Sequence, residues 1–434
     1  MTTQTPPQPL PERHEVRLEE RYTAESGPVM LGGIQALVRL MLDLRRLDRR
    51  RGHDTGVFVS GYQGSPLGGL DQELAREQPL LAPEGIVFHA GLNEELAATA
   101  VGGTQLLGQL PGATKQGVTG FWYGKNPGFD RAADAIRHST LSGTAPLGGA
   151  VALIGDDPTS KSSTVPSACE SMCRTLAMPV LAPGTISELV EYGLHAVALS
   201  RHAGLWTGLK VVADLADASG VVQAGAALDA IPQLPLRPAT DPPVLLPPSN
   251  LVAEQDLFTT RLERVHEYAR LTKLNRITFD PGHARIGVIA SGVGYQAVLR
   301  ALELLGLEQA DMERLGLRLI KLGMPWPLQP DDLRALVSGL HAVLVVEDKL
   351  PFVESQLKEA LYHEPGVPLV FGKRDHEGKP LLPVGGAVGA DEIAQALAQL
   401  VPGLELPRVA TLEPLADLSK RTPYFCSGCP HNTS

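Results

Sequence analysis

Two kinds of apolar pattern alternate along this chain. Ile34, Leu37, Val38, Met41 and Leu44 recur at helical spacing and predict a helix over residues 32–49. Short unbroken apolar runs follow at 56–60 (GVFVS), 86–90, 149–155 (GAVALIG) and 209–213 (LKVVA). Runs of this length without polar alternation predict strands buried on both faces. A helix-forming stretch over 94–107 lies among them, and strands alternating with helices imply a mostly parallel sheet covered on both sides. Residues 231–250 (IPQLPLRPATDPPVLLPPSN) break the pattern. Proline fixes φ and lacks a backbone donor, so this segment is predicted to be extended and irregular.

A helical run over 251–275 leads into a second alternating region. Strands are expected at IGVIASG from Ile286, at 317–321 and at 342–347, with helices over 295–305, 351–362 and 392–400. The expected fold is therefore α/β, with two doubly wound, mostly parallel-sheet domains. The predicted divisions are a flexible arm (1–27), a first domain (28–230), a linker with a helix (231–280), a second domain (281–402) and a Pro-rich tail (403–434).

Composition narrows the function classes. At about 100–200 residues per domain, 434 residues accommodate two or three domains. A net charge of −10 argues against non-specific nucleic-acid binding, which needs a basic surface. No run of about 18 apolar residues predicts a membrane span. Residues 1–27 carry no apolar core of a secretory signal. The 4 cysteines are too sparse for a disulfide scaffold, so a reducing cytoplasm is the expected location.

Several motifs could carry chemistry. Gly61-Tyr-Gln-Gly-Ser-Pro-Leu-Gly-Gly69 follows a strand. It reads either as a tight turn or as a loop whose Gly61 and Gly64 let backbone approach a ligand, with Ser65 offering a hydroxyl beside Pro66. Asn93-Glu94-Glu95 opens a helix. Asn93 is a natural N-cap and an acid suits the first turn, but a buried general acid/base would look the same. Asp156-Asp157-Pro158 and Lys161-Ser-Ser163 form a loop after a strand. Cys169 and Cys173 read as structural, since a metal site needs about four ligands. Gly292-Val-Gly294 reads as a packing turn. Cys426-Ser-Gly-Cys429 could chelate metal, act as a redox pair or be two free thiols in a tail.

Taken in order, these segments resemble the indolepyruvate ferredoxin oxidoreductases, thiamine-diphosphate-dependent 2-oxoacid:ferredoxin oxidoreductases, and in particular the N-terminal part of their fused bacterial form. The markers are GYQGSP (61–66), LNEELA (92–97), GFDRAAD (128–134), GDDP with KSS (155–163), IASGVGY (289–295), KLGMPWPL (321–328), VVE (345–347) and CSGCPH (426–431). The resemblance implies a pyrimidine-binding domain for thiamine diphosphate followed by a transketolase C-terminal-like domain. It implies that Glu94 hydrogen-bonds the cofactor's pyrimidine, for which the carboxyl must share or donate a proton. The Gly61, Gly64, Ser65 and Pro66 loop matches a family Gly-Tyr-Pro-Gly-Thr-Pro, with Ser65 keeping a hydroxyl for the oxoacid.

Cys426 and Cys429 match the first two thiolates of a family [4Fe–4S] cluster; its remaining ligands and the Gly-Asp-Gly…Asn anchor for Mg²⁺ and diphosphate do not occur in these residues. The implied reaction is oxidative decarboxylation of an aryl 2-oxoacid, with the acyl group passing to coenzyme A and electrons to ferredoxin, in a homodimer. On this reading the chain is a truncated piece or one part of a split enzyme, and by itself is expected to lack turnover. A non-catalytic partner subunit, a remnant, or another thiamine enzyme of transketolase type are the alternatives.

Overall fold

A computed structural model describes residues 18–161, 163, 165–238 and 245–406. The first domain runs β1 (Gly27–Gly32), α1 (Gly33–Arg50), β2 (Thr55–Gly61), β3 (Ile86–Phe88), α2 (Glu94–Gly103), β4 (Gly117–Lys125), α3 (Asn126–Ser142), β5 (Ala150–Asp156), α4 (Glu170–Thr175), β6 (Val180–Leu181), α5 (Ile186–Ala203), β7 (Trp206–Val212) and β8 (Ser219–Ala224). Six strands form a wholly parallel sheet in the order β3-β2-β4-β5-β7-β6. Every residue of β5 and β7 is buried, as expected of central strands with helices on both faces. β1 and β8 pair separately as an antiparallel ribbon.

The second domain comprises β9 (Asn275–Phe279), β10 (Ile286–Ser291), α6 (Gly292–Leu304), β11 (Leu317–Leu322), β12 (Ala342–Val346), α7 (Val353–Leu361), β13 (Leu369–Phe371) and α8 (Ala390–Leu400). Its sheet has the order β13-β12-β10-β11-β9, parallel except for β9. The expected class of two doubly wound domains is thus observed, with one antiparallel edge. Backbone bonds tie the domains together: Val180 N donates to Trp326 O (3.0 Å) and Ala182 N to Gly323 O (2.9 Å). The ion pair of Lys321 with Glu188 reinforces them. Among the described residues no helix is long and apolar enough to cross a membrane.

Three boundaries differ from expectation. The arm does not extend to residue 27, because α1 holds residues 21–24 down. Arg39 Nη1 donates to Arg21 O (3.0 Å) and Nη2 to Ala24 O (2.6 Å), and the buried Tyr22 hydroxyl donates to Glu73. The helix expected over 251–275 is two helices, Ser249–Asp256 and Leu262–Thr272, joined by a π turn. Lys273 adopts a left-handed conformation (φ 52°) and ends the second, freeing Asn275 to start β9. The helix expected from Tyr295 begins at Gly292, so Gly292-Val-Gly294 forms its first turn.

The α7 N-terminus is capped at long range. Glu347 accepts from the N–H groups of Phe352 (3.0 Å), Val353 (2.7 Å) and Glu354 (3.1 Å). Burial pushes its carboxyl up to about 7, although those bonds and Lys373 pull downward. A raised carboxyl favours its protonated form in the fold. Its contribution is full below the ordinary value of 4.5 and is lost as pH rises to about 7. With a discount for partial exposure, that is on the order of 2–3 kcal/mol. Glu347→Gln is expected to remove this slope. Urea unfolding at pH 5 and pH 8 would show it as a smaller difference between the two pH values than in the wild type, whereas parallel profiles would rule the assignment out.

Candidate active site

The first sheet reverses its winding between β2 and β4. From β2 the chain goes outward to β3, and from β4 it goes the other way to β5. Loops diverge at such a point, leaving a crevice outside the strands' carboxyl ends where ligands bind in open α/β sheets. Of the residues singled out in the sequence, the Gly61–Pro66 loop follows β2 here, and the segment leading into Glu94 is bonded to it through Gly91.

Gly61 ends β2 against β4. A Cβ on it would lie 2.1 Å from Tyr123 O, so only glycine permits this approach. Tyr62 N donates to Tyr123 O (3.1 Å) and Gly91 N to Gly61 O (2.9 Å), which locks the loop to β4 and to the segment before α2. The loop then lies across the ends of β4 and β5. Gly64 rests on the Lys125 side chain, and Pro66 Cδ would be 2.9 Å from a Cβ on Gly155. Pro66 is buried, while Gly64 and Ser65 are partly exposed.

Asn93 caps α2 as expected, its Oδ1 accepting from Leu96 N (2.9 Å). Glu94 is the first helical residue and is 7% exposed, whereas Glu95 is exposed. The α2–α3 contact buries Glu94. A Cβ on Gly128 would stand 2.7 Å from Glu94 Cγ and Oε1, so α3 carries glycine where the carboxyl lies. Trp122 Nε1 donates to Glu94 O (2.9 Å) and fixes the backbone. The exposed Arg131 guanidinium lies 3.7 Å from Oε2 and can exchange this contact for water. A cofactor ring nitrogen could be met by this carboxyl: it is almost fully buried and, among the described residues, held by no side-chain hydrogen bond, with only Arg131 near it.

Lys125 carries no separate sequence signal. The structure places it at the end of β4, between Gly64 and the start of α3, with its side chain partly exposed. It supplies a cation at the crevice. A Lys-Asn-Pro-Gly after a buried strand could have been singled out as a strand-to-helix junction, since Pro at the second helical position and Gly128 both mark one.

Behind the crevice lies a buried polar cluster. Asp156, fully buried at the end of β5, accepts from Asn126 Nδ2 (3.3 Å), Cys169 N (3.0 Å) and the Ser167 hydroxyl. The Lys210 ammonium lies 3.4 Å from Asp156 and 2.7 Å from Glu170. Burial opposes ionisation of Asp156, but Lys210 and the three donors outweigh it and hold the carboxyl below its ordinary value. Burial likewise disfavours the Lys210 charge, and Glu170 and Asp156 overcome it, keeping the ammonium protonated. Asp156, Cys169 and Glu170 are close enough to chelate a cation, but Lys210 already occupies that role. The Cys169 thiol is pushed up by its hydrogen bond with Cys173 and by burial, and both cysteines are fully buried core residues. The Asp157 loop is tethered to the second domain by Lys349, which donates to Pro158 O. Cys426 and Cys429 lie outside the described residues.

Comparison with known proteins finds similarity to one group of enzymes. Residues 276–411 match the model of the indolepyruvate oxidoreductase domain. Indolepyruvate oxidoreductase subunit IorA of Methanothermobacter thermautotrophicus is 27% identical over 419 residues, covering 96% of this chain and 61% of that protein. The subunit IorA of Archaeoglobus fulgidus is 26% identical over 426 residues, covering 95% and 60%. The chain therefore spans about three fifths of the length of these relatives. The fold resembles that of a 2-oxoglutarate:ferredoxin oxidoreductase from Magnetococcus marinus, solved with 2-oxoglutarate, coenzyme A and succinyl-CoA bound. The TM-score is 0.58 at 14% identity, over 86% of this chain and 65% of that one.

Proposed function

We propose that this chain belongs to the indolepyruvate oxidoreductase family and provides the pyrimidine side of a thiamine diphosphate site in an aryl 2-oxoacid:ferredoxin oxidoreductase, a reading supported by the match over residues 276–411 and by the similarity to IorA subunits. The observation that carries this reading is the buried Glu94 carboxyl at the β2–β4 switch point, with Gly128 leaving it room. Thiamine diphosphate, when bound, supplies the electron sink that 2-oxoacid decarboxylation requires. Glu94 would hold the pyrimidine and share a proton with its ring nitrogen. The Gly61–Pro66 loop would close over the oxoacid, with Ser65 toward its carbonyl and Lys125 toward its carboxylate. The anchor for Mg²⁺ and diphosphate would come from sequence other than these residues, which contain no Gly-Asp-Gly…Asn segment. Cys426 and Cys429 would contribute two ligands to a [4Fe–4S] cluster. Coenzyme A would accept the acyl group and ferredoxin the electrons.

Leu92 (85% exposed) and Leu96 (51%), two residues to either side of Glu94 in the chain, present exposed apolar side chains. A patch of this kind beside a site suits a protein neighbour that excludes water, and a second copy of the chain is the proposed one.

The test is the complete enzyme purified with this chain, assayed for reduction of a viologen dye that depends on indolepyruvate and coenzyme A. No oxoacid-dependent reduction by an enzyme loaded with thiamine diphosphate would overturn the reading. In the same assay, Lys125→Met is expected to raise KM for the oxoacid by roughly 10–100-fold, the worth of one charged hydrogen bond, with a smaller change in kcat. An unchanged KM would remove Lys125 from the substrate contacts.

A further inference from the structure

A cavity of about 230 Å³ opens between the two domains, on the far side of the buried cluster from Glu94. Three strand spacings separate β7, which lines it, from β2, or about 14 Å across the sheet. It lies at the second sheet's own switch point. From β10 the chain goes to β11 on one side, and from β11 it crosses to β12 on the other. The carboxyl ends of β10 and β12, at Ser291-Gly292 and Val346-Glu347, form one side of the cavity. Nothing in the proposed thiamine chemistry uses it.

The lining has a definite chemical character. Lys210 and Lys349 face Glu170, Glu347 and Asp348. Lys210 is committed to Asp156 and Glu170, and Glu347 to the α7 N-terminus. The others keep capacity. Lys349 uses one donor on Pro158 O, and an ammonium has three. Asp348 accepts from Val388 N (2.8 Å) through Oδ1. The first turn of the 13-residue helix α6 has no side-chain cap, so its opening N–H groups remain available. Apolar wall is provided by Pro183, Val212, Val293, Phe352 and Val388.

A polyanion would meet the carboxylates of Glu170 and Asp348 here, and a purely apolar ligand would cover Lys349 and Asp348 with bonding capacity unused. A small molecule carrying one charge of each sign and an apolar body satisfies both sets. We propose that this cavity binds a free apolar α-amino acid. Its carboxylate would meet the α6 N-terminus and Lys349, its ammonium Asp348 and Glu170, and its side chain the apolar wall.

The experiment is calorimetric titration of the full chain, without thiamine, so its outcome is independent of the catalytic reading. The probes are L-phenylalanine, 3-phenylpropionate, which lacks the ammonium, and phenethylamine, which lacks the carboxylate. Saturable binding of L-phenylalanine is expected, with each analogue at least about tenfold weaker. Gly294→Leu should abolish binding, because a Cβ there meets only Val346 O at 3.8 Å and the side chain would grow into the cavity. Should that variant not fold, Lys349→Met is expected to weaken L-phenylalanine binding about tenfold. The proposal is overturned by absent binding of L-phenylalanine, by equal affinity for the three probes, by wild-type binding in a folded Gly294→Leu protein, or by wild-type affinity in Lys349→Met.

Discussion

Glu94→Gln is expected to lower turnover of the complete enzyme by about two to four orders of magnitude, the usual contribution of a positioned proton-transfer group. The fold should hardly notice. Glutamine has the same length, so the fit against Gly128 is kept, and the Trp122 bond is to the backbone carbonyl. The lost pairing with Arg131 involves an exposed guanidinium at 3.7 Å and is worth little. The measurement is steady-state turnover beside a thermal melt. Wild-type turnover would show that Glu94 moves no proton. Gly128→Ala makes the complementary change, since it leaves the carboxyl chemistry intact but forces a Cβ to 2.7 Å from Glu94 Cγ and Oε1. Overpacking of that kind costs about 1–3 kcal/mol, so in this variant stability should fall together with activity.

Asp156→Ala is expected to be the most destabilising single change discussed, at about 3–5 kcal/mol, because it leaves a buried cation with one partner fewer. It also strips an acceptor from Asn126, Ser167 and Cys169 N at once. These groups belong to the start of α3, the loop before α4 and the N-cap of α4, so the walls behind the crevice should loosen together. Asp156→Asn, which keeps an acceptor but loses the charge, should cost less. The contribution of Asp156 is present above the ordinary value of 3.8 and is lost as pH falls through its depressed native value. Urea unfolding of the three proteins at pH 7 and near pH 3 tests this. If Asp156→Ala loses less than about 1 kcal/mol at pH 7, the cluster does not hold this region together.

Much of the architecture was legible because parallel strands buried on both faces leave an unmistakable trace. GVFVS and GAVALIG, read as strands over 56–60 and 149–155, form β2 and β5 over 55–61 and 150–156. β1 and β8 were not legible. Each buries only alternate residues against a single partner, and Gly27 at the start of β1 reads as the end of a flexible arm. β13 has three residues, too few for any periodicity.

The chemistry divides along the same line. By itself the sequence determined the alternating fold, the glycine loop after β2 and the capped acid at Asn93-Glu94, because these depend on neighbours within a few residues. Only the tertiary structure decided that Glu94 is buried while Glu95 is exposed, since that turns on Gly128 across the α2–α3 contact. Only it could pair Lys210, set within an apolar strand, with Asp156 and Glu170, or bring Lys125 beneath Gly64. It alone aligned Gly292-Val-Gly294 with Lys349 and Glu170 around one cavity. The physical reason is that a charge's partner and a carboxyl's burial are set by strand order and helix packing, which join residues far apart in the chain and leave no local pattern to read.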